Sequence, residues 1–372
     1  IPVSDGAVYL DGDDYIKILH SAIDISTTDF TIAAWIMPIT GTAQYDCIMA
    51  KRDGNNEGFQ FDLREGSYNS LGFALEDADS TITNAGTAGT VSLNKWQHAC
   101  VTVDRSAAGT SGAYFYNDGV LDADSTLSGN MSSITSSLEG EAPLIIGGKS
   151  TDGGVLSNYW NGYICNVGFW NRVLTQAEIK SIMWKNYAGL TDTEKTSLVS
   201  WWNLDVAYDI DDTTHTDHTT QYVFDNHHGG GDALGDDVMV GGDMSSDAGW
   251  FFESSSGWSI SDGKLIHDGT DAYKYARQTT SGLTAGSLYK ITVDISITNG
   301  HPLVIFLGEG HGAGTANAAG QTKSSGTQTF YFVAGSTNDN IYFYAGSDGT
   351  RFQGTIDNVI IQKVNGSYGV LS

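Results

Sequence analysis

The sequence predicts an all-β chain of two tandem antiparallel β-sandwiches, with one short helix after the first, and three observations predict it. Of the 44 acidic residues in 372, 35 are Asp and 9 are Glu; Gly numbers 46 and Pro 4. Asp and Gly form turns, whereas Glu is the acid that helices favour. Short apolar runs alternate with Gly, Asn and Asp turns at spacings of roughly eight to twenty residues, the rhythm of a sandwich. A convincing helical period occurs once. The apolar fraction of 40% is ample for packed cores.

The elements follow in order. Residues 1–205 carry the strand texts AVYL, YIKIL, FTIAAWIMP, CIMAK, FQFDL, LGFAL, HACVTVD, AYFYNDGVL, PLIIGG and YICNVGFW. The helix comes next, where Thr175 and Glu178 form a capping box ahead of Ile179, Ile182, Met183 and Tyr187. A second such pair, Thr191 and Glu194, starts a shorter turn of helix before LVSWWNL. Residues 206–236 hold seven Asp, no Lys, Arg or Glu, and four of the nine His (His215, His218, His227, His228), which reads as a self-repelling acidic linker. Strand text resumes over 237–364 with KLIHD, YKYARQ, LYKITVDISI, LVIFL, TQTFYFVA, NIYFYA and GTIDNVIIQKV, and residues 365–372 read as a tail. One phrase occurs twice: WNGYICNV at 160–167 and FQGTIDNV at 352–359 share aromatic-x-Gly-x-Ile-x-Asn-Val near the end of each sandwich. Chance and common strand composition explain such an echo as readily as similar closing strands do.

Charge and cysteine bound the function. A net charge of −26 repels phosphate backbones and argues against nucleic acid. No apolar run approaches 18 residues, so no membrane-inserted helix is expected. Cys47, Cys100 and Cys165 are odd in number and sit in apolar strand text, as buried free thiols do.

The first domain resembles the concanavalin A-like, laminin G family of jelly rolls. The resemblance is carried by LDGDDYI (10–16), FTIAAWIMP (30–38), WQHACVTVD (96–104), YNDG (116–119) and the closing strand with LTQAEI. The second is similar to galactose-binding-like carbohydrate-binding jelly rolls through VGGDMS (240–245), GWSISDG (257–263) and GTIDNVIIQKV (354–364). The tandem resembles structural proteins of tailed, especially marine, bacteriophages. That resemblance implies a virion-surface or extracellular setting, with other virion or surface proteins and a host-surface or environmental glycan as partners. A homo-oligomer stays open.

Catalytic constellations are missing. Glu76-Asp77-Ala78-Asp79 lacks the second Glu of a jelly-roll glycosidase, and no G-x-S-x-G, H-E-x-x-H or phosphate loop is present. A structural calcium ion is the cofactor to look for, because Asp-rich turns supply hard oxygens. The resemblance implicates Asp357, with Asp243 as the nearest acid at the other end; in the first domain Asp11, Asp13 and Asp14 are the candidates, since the matching last-strand residue is Cys165, a soft ligand. Ordinary turn-forming Asp is the alternative at both places, and solvated linker residues are the reading of the histidines. Sugar binding needs aromatic faces, and residues two apart on a strand share a face. Tyr273 with Tyr275, Tyr342 with Tyr344, and Tyr331 between Phe330 and Phe332 are the candidates, with Ile341 and Phe343 turned to the core. Trp35, Trp96, Trp160 and Trp258 are expected to be structural. The expected function is non-catalytic: a capsid decoration, appendage or fibre protein with weak glycan binding. A secreted bacterial lectin-like module from a larger polysaccharide-active protein is the alternative.

Overall fold

The computed structural model describes the chain except residues 1, 5, 19–22, 24–26, 40–44, 53–56, 65–68, 78–80, 87–89, 109–110, 124–125, 128, 136–141, 151–154, 206–207, 210–220, 229–233, 240, 272, 281, 285–286, 300, 308–320, 335–339, 347–348, 350, 366–367 and 372. Two compact units emerge. One comprises Ile1–Ala207, Gln221–Gly231 and Gly366–Ser372; the other comprises Tyr208–Thr220 and Asp232–Asn365.

The first unit packs two antiparallel sheets face to face. Its helix-side sheet runs Val8–Asp11, Asn161–Trp170, Phe30–Pro38, Gln97–Val103, Ala113–Asn117, Val120–Leu121, and Leu198–Trp202 also pairs with Asn161–Trp170. Its long sheet includes, in order, Ser70–Glu76, Gly58–Arg64, Asp46–Arg52, Leu144–Ile146, Ile16–Ile18, Tyr368–Leu371 and Gln221–Phe224. Period-two alternation sends Phe30 from one sheet and Phe59 and Phe73 from the other into one cluster with Phe169, the rings of Phe30 and Phe169 stacking at 5.5 Å.

The helix Gln176–Ile182 lies outside this sandwich. It buries Ile179 and Ile182 against Ala33, Cys100, Trp170 and Trp201 on the outer face of the helix-side sheet. Both Thr–Glu capping pairs form: Thr175 with Glu178, and Thr191 with Glu194, whose carboxylate also takes Lys185 Nζ at 2.6 Å. Thr191 and Glu194 close a turn, not a further helix. Cys47, Cys100 and Cys165 are free and buried.

The limits of the units differ from the sequence expectation. Within 206–236, Gln221–Phe224 forms a strand and Asn226–His228 a single 3-10 turn, both in the first unit. Buried Asp225 anchors them, its Oδ1 accepting the Trp201 and His227 backbone N–H groups at 2.9 Å. The His227 ring sits edge-on to Tyr187, with Nδ1 3.3 Å from its hydroxyl. His215 and His218 lie outside the described residues. From the expected tail, Tyr368–Leu371 enters the long sheet between Ile16–Ile18 and Gln221–Phe224. The runs QYVF and YGVL are short strand text, which the acidity of the surrounding stretch outweighs when charge is averaged.

The second unit is a smaller sandwich inserted in the chain of the first. One sheet runs Trp258–Ser261, Lys264–His267, Gly354–Val364, Leu288–Ile297, Gly326–Val333, with Leu234–Asp237 also pairing Gly354–Val364. The other, the tyrosine sheet, runs Trp250–Phe252, Tyr275–Thr279, Asn340–Tyr344, Leu303–Leu307, Gln321–Lys323. Ile291, Val293, Phe330, Ile341, Phe343 and Ile356 meet in the core between them.

The repeated phrase has one structure in both units. Trp160 and Phe352 are fully buried, as are Ile164 and Ile356. At both Gly162 and Gly354 a side chain would collide with a carbonyl oxygen of the neighbouring strand, Met37 and Ser296 respectively. Asn166 and Asn358 each adopt φ +49°, and both sit at a β-bulge in the pairing of their strand. The phrase therefore encodes a close backbone approach followed by a left-handed bulge, and the two strands that carry it are built alike.

On the long sheet of the first unit, Asp62 is 1% exposed. Gln60 Nε2 donates to its Oδ2 at 2.8 Å, and Arg64 Nε stands 3.6 Å from Oδ1. Burial, opposed by those groups, pushes its carboxyl up from 3.8 to about 6. The fold therefore retains a proton that the unfolded chain has released. That contribution to stability is complete below pH 3.8 and is lost as the pH rises through about 6. Asp62→Asn is expected to stabilise the first unit by about 1–3 kcal/mol at pH 7.5 and hardly at all at pH 4. Thermal melts of both proteins at the two pH values check this.

Candidate aromatic binding face

The outward face of the tyrosine sheet is assembled by alternation. On Tyr275–Thr279, Ala276 and Gln278 are buried towards the core, which leaves Tyr275 and Arg277 outward. On Asn340–Tyr344, Ile341 and Phe343 are fully buried and Tyr342 and Tyr344 take the other face. Phe251, between Trp250 and Phe252, faces the same way and is 43% exposed.

Register places these side chains in two rungs. Phe251, Arg277 and Tyr342 are consecutive cross-strand partners, and Tyr275, Tyr344 and Val304 form the next rung. The rings touch: Phe251 to Tyr275 at 6.1 Å, and Tyr275 to Tyr342 at 5.2 Å, edge-on. The Arg277 guanidinium lies over the Phe251 ring, Cζ 4.7 Å from its centroid.

Tyr273 continues the cluster. It is 56% exposed and holds φ +59°, a backbone conformation that costs a bulky L-residue about 1–2 kcal/mol. Its N–H donates to Gly346 O at 2.8 Å, which ties the turn to the backbone just beyond the end of Asn340–Tyr344. Desolvation and the neighbouring Tyr273 phenol together push the Tyr344 hydroxyl up. The two ends of the face, Phe251 and Tyr273, stand into solvent, while Tyr342 at 5% exposure forms its floor.

Four of the five tyrosines expected from the sequence thus share one face. The fifth does not. Tyr331 lies on Gly326–Val333, in the other sheet, and is 3% exposed. Alternation gives the face of a strand but not the sheet the strand joins. Phe251 and Arg277 were missed; Arg277 stands two residues beyond Tyr275, so the same parity rule reaches it. Of the tryptophans expected to be structural, Trp35, Trp160 and Trp258 are buried, while Trp96 is partly exposed beside Tyr163 at 6.2 Å.

The acids expected around calcium are placed as follows. Asp243 Oδ1 accepts the Ser245 N–H and hydroxyl, at 3.1 and 2.9 Å, and the first of these bonds chiefly holds its carboxyl low. Asp357 Oδ1 accepts the Asn358 N–H at 2.8 Å, and its Oδ2 lies 3.7 Å from Lys264 Nζ. These contacts are a turn bond and an ion pair, and neither residue belongs to a converging group of three or more His, Cys, Asp or Glu among the described residues. Asp11, Asp13 and Asp14 are the one group of carboxylates among the described residues whose oxygens converge, within 4.8 Å of one another. Hydrogen bonding between Asp11 and Asp13 lowers the first and raises the second. Asp11 and Asp13 are exposed and Asp14 is half-buried.

Residues 10–180 match the family model described as Laminin_G_3, the concanavalin A-like lectin/glucanases superfamily, so the first unit contains a concanavalin A-like, laminin G-like jelly roll. No curated protein matches the chain. Among solved structures, a carbohydrate-binding domain (CBM40) of the Ruminococcus gnavus IT-sialidase is 15% identical, with 48% of this chain and 97% of that one covered and a TM-score of 0.36. A putative carbohydrate-binding protein from Bacteroides ovatus is also 15% identical, covering 60% and 56% at a TM-score of 0.41. Tailspike protein 2 of an Escherichia coli O157:H7 bacteriophage is 16% identical, covering 55% and 29% at a TM-score of 0.37. Likeness at this level identifies no ligand. No helix among the described residues is long and apolar enough to cross a membrane.

Proposed function

We propose that the chain is a non-catalytic glycan-binding protein that works outside the cell, on a virion or cell surface, and that the outward face of the tyrosine sheet is its binding site. The observation that carries this reading is the run of touching rings from Phe251 through Tyr275 to Tyr342, with Tyr273 and Tyr344 alongside. Pyranose rings present C–H faces that stack on such rings, and the phenolic hydroxyls and Arg277 orient the sugar hydroxyls around them. Tyrosine suits the task because its apolar body loses little entropy and its tip stays wet. Calcium has no step in this reading.

A glycan array probed with the whole chain and with Tyr275→Ala tests the site. Wild type is expected to bind at least one glycan class, and Tyr275→Ala to weaken that binding about tenfold or more, since one lost stacking ring removes roughly 1–3 kcal/mol. The melting curve of the variant should keep two transitions near wild type, because Tyr275 lies outside the core. No binding to any glycan by folded wild type would overturn the reading. A surface-attachment role is checked by co-purification with intact particles.

A further inference from the structure

Arg277 points to the class of glycan. Elsewhere the described arginines are engaged: Arg52 with Glu76, Arg64 with Asp62, Arg172 with Glu178, Arg105 with the Ile134 carbonyl and Arg351 with the Thr270 carbonyl. Arg277 is held by a ring face alone among the described residues; its neighbours across the sheet are Phe251 and Tyr342, and neither is an anion. The sequence offers 44 acidic residues against 18 basic ones, yet the contact of Arg277 among the described residues is an aromatic ring and not a carboxylate or a carbonyl. Stacking on Phe251 fixes the plane of the group without using its N–H donors, which leaves the planar fork free for a second partner. The fork matches a carboxylate or sulfate in two parallel hydrogen bonds, and in a partly desolvated setting such a bond is about twice as strong as a neutral one.

We propose that the aromatic face selects acidic polysaccharides, with the Arg277 guanidinium receiving the uronate carboxylate or sulfate ester of a sugar whose ring stacks on Tyr275. The proposal rests on the glycan-binding reading above and adds the charge of the ligand. The net charge does not oppose it at this end of the chain: residues 237–372 hold 12 acidic and 7 basic residues, a balance of −5. Lys274, adjacent to Tyr275 and Tyr273 in sequence, is paired with Glu253 at 2.7 Å, so Arg277 is the positive group left for the ligand among those described on this face. A sulfate and a carboxylate share the recognised chemistry, and the probes below separate them.

The test uses matched polysaccharides that differ only in charge: polygalacturonate with its fully methyl-esterified form, and dextran sulfate with dextran. Affinity electrophoresis of wild type, Arg277→Gln, Arg277→Lys and Tyr275→Ala gives the comparison, with melting curves as the check on folding. Wild type is expected to be retarded about tenfold more strongly by the charged member of at least one pair, and the preference should shrink as salt is raised. Arg277→Gln should abolish the preference, so that the charged member of the pair is bound no more strongly than the neutral one. Arg277→Lys should restore part of it, since it returns the charge without the fork. Tyr275→Ala should weaken binding to both members. If wild type prefers neither member, or Arg277→Gln keeps the preference, the proposal is overturned and the stacking face stands. If wild type binds none of the four and no other glycan, both readings fall.

Discussion

Deleting residues 366–372 lowers the melting midpoint of the first unit by about 10 °C and leaves the transition of the second where it was. The seven residues follow the last strand of the second sandwich, and a deletion at such a place would ordinarily be harmless. Here Tyr368–Leu371 is an interior strand. It pairs with Ile16–Ile18 at three register positions and with Gln221–Phe224 at four. Without it both neighbours lose their ladder on one side, and Gln221–Phe224 is left with no inner partner. At about 0.5–1.5 kcal/mol for each net hydrogen bond, the loss is about 3–5 kcal/mol. Calorimetry of the truncated chain checks it. A single transition moved, and it the larger one, is the expected trace; two unmoved transitions would contradict the pairing.

Gly162→Ala and Gly354→Ala form a matched pair of tests on the closing strands. At each position an added methyl group meets a main-chain carbonyl of the adjacent strand, Met37 or Ser296, and backbone cannot move aside as a side-chain tip can. Separating two central strands costs about 3–5 kcal/mol, the range of severe core substitutions. Gly162 carries a second penalty because its φ is +142°, a region that L-residues rarely adopt. Gly162→Ala should therefore be the worse of the two. Each variant should depress only the transition of its own unit. Gly263→Ala is the control: its φ is +70°, but a methyl group there meets nothing within 4 Å, so it should cost only about 1 kcal/mol. If Gly162→Ala melted like Gly263→Ala, the shared close approach would not be what holds the strands together.

Local order was legible in the sequence, and pairing was not. Thr175 and Glu178 announced the helix because a capping box is a contact between residues three apart. Ile341 and Phe343 could be assigned to the core, and Tyr342 and Tyr344 to the other face, because strand alternation needs only parity. The partner of each strand depends on residues far away, and there the reading stopped. Tyr331 obeys the same parity as the others, yet its strand pairs with Leu288–Ile297 in the opposite sheet. Tyr342 points outward and is still covered, since Tyr275 and Arg277 crowd it from the next strand. Phe251 escaped notice because three aromatic residues in a row, Trp250 to Phe252, show no alternation of polarity.

The pairing of Lys17 with Val370 also bears on how the chain is made. A ribosome that has delivered residues 1–205 has delivered the helix-side sheet but not the whole of the long one. The gap beside Ile16–Ile18 stays open while the complete second sandwich emerges and folds. That sandwich has all of its own strands before residue 366. Birth order and folding order are thus reversed: the part begun first is finished second. During that interval an unpaired strand edge is exposed to solvent and to sister chains, the situation in which chains exchange strands. The length of that interval is set by how long the chain takes to emerge between residues 232 and 371.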